Sequence, residues 1–406
     1  MSIGFKDMRN HNRKIVLNLI KARDGISRSE LVKEAELTAP TISRIIDELI
    51  NLNLVYEAGP AQTNVGRKPI NLKFNKEAYS IATLDIRPDK VFGAITNLKA
   101  EILDIEKVYF DEDIASFNKI ITTCNKLLKK LLSTSKNSPQ TLGLGITIPG
   151  IVNSEKGIIR SSAPLGSEWE NISLSEHLEY DSFKLFSMDN LTRALTLGEK
   201  WWGNCKDRDN FIYVYVGRGI GAGIMVNSNL YKGSQYNAAE IGHTTIKFGG
   251  ELCRCGKKGC LETYCSFESL MKRFEDIFDI CFDNEQECYE FIKENPYEVE
   301  DIIIEKLKYL GIGISDLVNT FNPEKIVISG WPVEIELKSM ETMKYLRGIA
   351  QENTLEGMMD RTDITEASVQ KHSTVKGAAA LVLKEFFDPE SQMSIETEEN
   401  QMEGVN

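Results

Sequence analysis

No apolar run in this 406-residue sequence approaches the roughly 18 residues needed to cross a membrane, and the first ten residues lack the apolar stretch of a secretory signal. These absences predict a cytoplasmic protein with no membrane partner. Histidine is scarce, and of the four present His11, His177 and His372 have no partner pattern around them and read as surface residues. A disulfide framework is missing as well. Five of the eight cysteines (Cys124, Cys205, Cys265, Cys281, Cys288) are scattered, which fits a reducing compartment. Nor is there an overall basic excess: a net charge of -12 excludes a surface that binds nucleic acid throughout. What is present is ample apolar material, 42% of residues with 8% aromatic, enough for the cores of two to three domains. The charge is also unevenly spread. Residues 1–75 hold 12 Lys and Arg against 8 Asp and Glu, a net +4 that leaves -16 on the remainder. That split predicts a small nucleic-acid-binding head on an acidic body.

The head has a readable order of elements. Residues 12–23 place Ile15, Leu17, Leu19 and Ile20 among basic residues and predict a first helix. A second begins at Ser27, which can cap it while Glu30 completes a capping box. A third runs from a Thr38 cap through Pro40 to Leu49, with Ile42, Ile45, Ile46 and Leu49 on its inner face. Its start is small, hydroxylated and carries one arginine, as suits a helix entering a major groove about 12 Å wide. Thr38, Thr41, Ser43 and Arg44 are the candidates for base edges or phosphates. Residues 54–57 and 70–73 predict two strands around a loop with Gly66-Arg67-Lys68-Pro69, a basic wing whose Arg67 could reach a minor groove. An ordinary helical bundle with a hairpin is the plainer alternative.

The densest chemistry lies between Ala238 and Tyr264. Cys253, Cys255 and Cys260 fall within eight residues, His243 precedes them by ten, and Gly256 and Gly259 let the backbone turn the sulfurs toward one point. One His and three Cys make a complete tetrahedral donor set for Zn2+ with no position left for water, so the metal reads as structural. A redox dithiol or three buried thiols are the alternatives. Glu240 and Glu262 flank this knot, where their carboxylates could accept hydrogen bonds from a polyol.

The pattern E-x-G-H followed by C-x-C-G-x-x-G-C-x-E resembles the signature of the ROK family (repressors, open reading frames and sugar kinases). The resemblance implies that the His and three Cys hold zinc, and that Glu240, His243 and Glu262 line a sugar pocket. Gly66-Arg67-Lys68-Pro69 is similar to the wing of the family's repressors, and Gly143–Asn153 to a motif bordering the sugar, although the following residues 161–166 lack the Asn of many sugar-binding members. Counting back from Leu197-Gly198-Glu199 places Asn190 on the family's sugar-binding Asn and Leu191 on its catalytic Asp; a two-residue shift would place Asp189 there instead. The first phosphate turn of ROK kinases reads Asp-x-Gly-Gly-Thr-Lys, whereas here Arg87-Pro88-Asp89 stand for Gly-Gly-Thr. Pro88 removes an N–H and Asp89 adds a negative charge where a polyanion would sit. Around Gly217–Gly221, Arg218 stands where kinases usually have a hydroxyl residue, and a tight hairpin is as good a reading as a phosphate cradle.

The expected fold is α/β, an N-terminal winged helix-turn-helix followed by a two-lobed actin-like ATPase body with a zinc knot. Residues 1–75 form the head, 76–190 the first lobe rejoined by about 360–388, 191–360 the second lobe, and 389–406 a disordered acidic tail. The family branch most resembled is the xylose-repressor type, which implies a non-enzymatic regulator. Its expected partners are operator DNA and a sugar effector, xylose or a related mono- or disaccharide, acting on a homodimer or tetramer. A sugar kinase with an appended DNA-binding domain, or a repressor with a decayed sugar pocket, are the alternatives.

Overall fold

The structure, a computed structural model, describes residues 5–23, 25–60, 70–111, 114–134, 140–179, 183–336, 338, 341–369 and 372–391. Arg67, Lys68 and most of the acidic tail lie outside the described residues. Among those described, no helix is long and apolar enough to cross a membrane.

The head follows its sequence pattern closely. Its first helix is longer than the apolar spacing indicated, Phe5–Ala22. The second, Arg28–Glu34, starts at a Ser27 cap with both hydrogen bonds of the capping box in place. The third, Ala39–Asn51, buries Ile42, Ile45, Ile46 and Leu49. Thr38 is its N-cap residue by position, but its hydroxyl bonds Thr41 Oγ1 at 2.9 Å instead of capping the helix. Strands Val55–Pro60 and Ile70–Phe74 pair antiparallel, with Ile26–Ser27 on the far side of the second.

The body is built twice on one plan. In the first five-stranded sheet the order is Leu185–Asn190, Thr141–Ile148, Ser80–Ile86, Lys90–Asn97, Ile102–Tyr109. In the second it is Asp363–Glu366, Lys325–Gly330, Phe211–Val216, Ile220–Val226, Asn229–Tyr231. Each has three parallel strands on one side and an antiparallel meander on the other. Because Asp363–Glu366 belongs to the second sheet, the return to the first lobe comes after residue 366, a few positions later than the sequence suggested.

That return is the helix Ser373–Phe387, and its small residues serve close packing. A Cβ on Gly145 of the first sheet would sit 2.1 Å from Ala378 O, and one on Gly377 would sit 2.9 Å from the Ala194 carbonyl. The last helix is thus pressed between the first sheet and the helix Leu191–Trp202. Its far end meets the head. Leu17 and Ile20 of the first helix share one apolar cluster with Leu383, Phe386 and Phe387. Lys14, fully buried, donates to the carbonyls of Asp388 (2.9 Å), Ser391 (3.2 Å) and Glu385 (3.3 Å), and Asn18 Nδ2 donates to Phe387 O at 2.8 Å. The start of the tail, expected to be disordered, is therefore held to the head as far as Ser391. Burial pushes the Lys14 pKa down to about 8, so the ammonium keeps all three donors at neutral pH. Orphaned carbonyls at a helix end are costly, and Lys14→Met should lower the unfolding free energy by about 2 kcal/mol, read by denaturant titration. An unchanged midpoint would show that these carbonyls find other donors.

Candidate functional site

The knot is assembled by short turns. His243 closes the 3-10 turn Ile241–His243, and Cys260 stands at the N-terminus of the helix Leu261–Cys265. Single bridges pair Thr245 with Cys260 and Leu252 with Lys258. Gly259 has φ of 79°, and a Cβ there would lie 1.8 Å from Lys247 O, so the turn accepts no side chain. As a result the ligand atoms of His243, Cys253, Cys255 and Cys260 all fall within 4.8 Å of one another. Cys253 Sγ is 3.7 Å from His243 Nδ1, and Cys255 Sγ is 3.6 Å from Cys260 Sγ. These are the edges of a tetrahedron around a metal with bonds of about 2.0–2.3 Å, and they are far too long for a disulfide. All eight cysteines are free, and Cys124, Cys205 and Cys288 are core thiols whose pKa burial pushes up to about 12. The four-residue cluster can therefore hold a metal ion.

The flanking carboxylates differ in their surroundings. Glu262 is buried, with Oε1 accepting from Arg254 Nε and Oε2 from the Ile220 amide, both at 2.9 Å. Arg254 sits between two cysteines of the knot, so the knot fixes the carboxylate's orientation. Nothing in the sequence pattern pointed to that arginine. Glu240 keeps solvent contact but is walled in enough for desolvation to raise its pKa, with Arg193 opposing and Glu262 adding to the rise. His243 turns Nδ1 toward Cys253, which leaves Nε2 as its free donor. Asn190 is the cap of the helix Leu191–Trp202: Oδ1 accepts from Thr192 N (2.8 Å) and Thr192 Oγ1 (2.6 Å), and Nδ2 donates to Gly150 O at 2.7 Å. Both its lone pairs are spent, and one N–H remains for a ligand.

A family model described as ROK matches residues 81–385. The chain belongs to the ROK family. A xylose repressor from Caldicellulosiruptor bescii is 30% identical over 396 residues, covering 93% of this chain and 96% of that protein. A solved ROK family transcriptional regulator, described as a homolog of the Escherichia coli MLC protein, superposes with a TM-score of 0.79 at 26% identity over 94% of this chain and 98% of its own. A ROK family glucokinase from Streptomyces griseus, solved with glucose and AMPPNP, has a TM-score of 0.62 at 20% identity over 74% of this chain and 98% of its own, and shares the fold of the body.

In this ROK chain the polar groups of the turns at Asp85–Lys90 and Gly217–Ile220 are bonded within the chain. Arg87 Nε donates to Asp85 Oδ2 at 3.1 Å, and Thr147 Oγ1 donates to Asp85 Oδ1 at 2.9 Å. Burial opposes the Arg87 charge, but Asp85 and Tyr215 outweigh it and hold the pKa above its ordinary value. Strands Phe211–Val216 and Ile220–Val226 pair directly through a tight turn. In it Gly217 N is spent on Gly219 O and Ile220 N on Glu262, while Arg218 pairs with Glu285 at 3.2 Å. At the start of the helix Leu191–Trp202, Leu191 is buried. Asp189 is buried too, bonded by Arg193 Nε at 2.6 Å and by the Asn190 amide at 2.7 Å.

On the head, Thr38 and Arg44 are exposed and Thr41 and Ser43 half-buried. Arg44 is 4.0 Å from Glu48, whose carboxylate is already held by Arg9 and by Arg13 (3.0 Å), so its guanidinium is free to turn outward.

Proposed function

We propose that this protein is a sugar-responsive transcriptional repressor of carbohydrate-utilisation genes that binds operator DNA through the head, acts in the cytoplasm as a dimer and carries a structural zinc. The observation that carries this reading is a helix-turn-helix head, with Thr38 and Arg44 of its third helix open to solvent, joined to a ROK body in which Arg87 is paired with Asp85. The names of the relatives favour the same reading, and xylose or a related sugar is the first effector to test.

The effector would lie on Glu240, Glu262 and His243, with Asn190 donating one bond, and the knot would hold two of these groups rigid. Ligand contacts on both lobes would bias their relative angle. Movement of the helix Leu191–Trp202 bears on Gly377, and the last helix carries it to Lys14 and Asn18 of the head. In a dimer that changes the spacing of two recognition helices, which must match half-sites about 10–10.5 bp apart or a multiple.

The test is a footprint on the DNA upstream of the gene, with and without candidate sugars. Arg44→Ala should weaken operator binding at least about tenfold while leaving sugar affinity and thermal stability unchanged. Glu262→Gln should blunt the sugar response while DNA is still bound. Wild-type footprints from Arg44→Ala would remove the third helix from the interface, and failure of every sugar at millimolar concentration would favour a decayed pocket.

A further inference from the structure

Beside Glu240 a groove of about 570 Å3 opens on the second lobe, within the range of small-molecule sites. Its lining includes the rings of Tyr231 and Phe321, 51% and 42% exposed, with Asn237, Asp316 and the apolar Leu317. Large aromatics left open to solvent in a concavity offer flat faces to the C–H surface of a sugar ring, and the amide and carboxyls beside them match hydroxyls. The lining carries the two carboxyl groups of Glu240 and Asp316 and no Lys, Arg or His, which disfavours an anion and suits a neutral polyol.

Glu240 ties this groove to the cleft. It is part of the groove wall, yet its carboxyl also feels Glu262 and Arg193. A polyol held on Glu240 therefore stands at the entrance of the groove. The loop that carries Asn237 is clamped from the same side, because Arg193 Nη1 donates to Tyr236 O at 2.5 Å while the same guanidinium bonds Asp189 and Val152 O of the first lobe. Tyr236 and Ala239 in this loop hold φ of 63° and 70°. Left-handed backbone at non-glycine residues is strained and persists where surrounding contacts impose it, commonly at ligand sites.

We propose that this groove is a second subsite that takes the next glycosyl ring of a linked sugar, so that the protein prefers a disaccharide to its monomer. The proposal rests on the reading of Glu240 as a sugar ligand. Isothermal calorimetry on the full chain tests it, with D-xylose and its β-1,4-linked dimer, and with glucose and cellobiose. At least one dimer should bind about tenfold more tightly than its monomer. Tyr231→Ala and Phe321→Ala should each erase most of that advantage while leaving monosaccharide affinity within about twofold. Monosaccharide binding with no disaccharide advantage, or an advantage that survives both substitutions, overturns the subsite and leaves Glu240 as a sugar ligand. If no sugar binds the wild type, the reading at Glu240 falls and takes the subsite with it. Sedimentation of the same variants supplies a further check: loss of self-association with sugar binding unchanged would make this face an interface between copies and overturn the proposal.

Discussion

Protein purified without chelator is expected to carry one zinc per chain, and Cys255→Ser is expected to lower the melting temperature by more than about 10 °C. The donor geometry carries the expectation, since four soft or borderline donors already lie within 4.8 Å of one another. Structural zinc contributes about 10–16 kcal/mol of apparent binding energy in small peptides, comparable with the ~5–15 kcal/mol total stability of a domain. Half of that, at roughly 2–4 °C per kcal/mol for a lobe of this size, gives such a shift. The loss should reach beyond the knot, because Arg254 and through it Glu262 are positioned by the same turns. Cys281→Ser, at an exposed thiol outside the knot, should melt like the wild type. Elemental analysis without stoichiometric zinc, or equal melting of the two variants, would sink the assignment.

How much of this was legible in the sequence depended on the range of the physics involved. The capping box at Ser27, the inner face of the third helix and the His243 to Cys260 spacing are local patterns, and each was read within a few residues. The small-residue helix at Gly377 could be assigned to close packing, although its partners, Gly145 and Ala194, lie far away in sequence. Lys14 could not be read. A lysine in a basic helix is ordinarily solvated, and only the arrival of the last helix end, more than 370 positions away, turns it into a buried cap. Asn190 was singled out for its alignment with a sugar ligand, yet an Asn before a helix is also a good cap, and the structure shows that role taking most of its hydrogen bonds. Arg254 escaped notice because its partner was counted only as a ligand for something else. The duplicated strand order of the two lobes leaves no repeat in the residues, since the same topology is filled by different side chains.

No ATP-dependent phosphorylation of any sugar should be detectable, and Leu191→Asp should not create it. Phosphoryl transfer relies on positioned phosphates and on stabilisation of their charge, with a general base adding about 10²–10⁴-fold. Here the expectation rests first on the two turns. Arg87 is paired with Asp85, Pro88 withholds an amide from the turn, and two amides of the Gly217–Ile220 turn are already bonded within the chain. The base is the second ground. Leu191 has no proton acceptor, and Asp189 is buried against Arg193. Asp189 Oδ1 already accepts from the Arg193 guanidinium and from the Asn190 amide. Leu191→Asp should therefore supply a base without supplying a place for a nucleotide. Freeing the first turn with Arg87→Gly in the same chain should raise ATP affinity before it yields any turnover, and calorimetry with a non-hydrolysable ATP analogue would show it. Sugar phosphorylation by the wild type that disappears in Asp189→Ala would mean that the Asp189–Arg193 pair opens in the working protein and that the chain is a kinase.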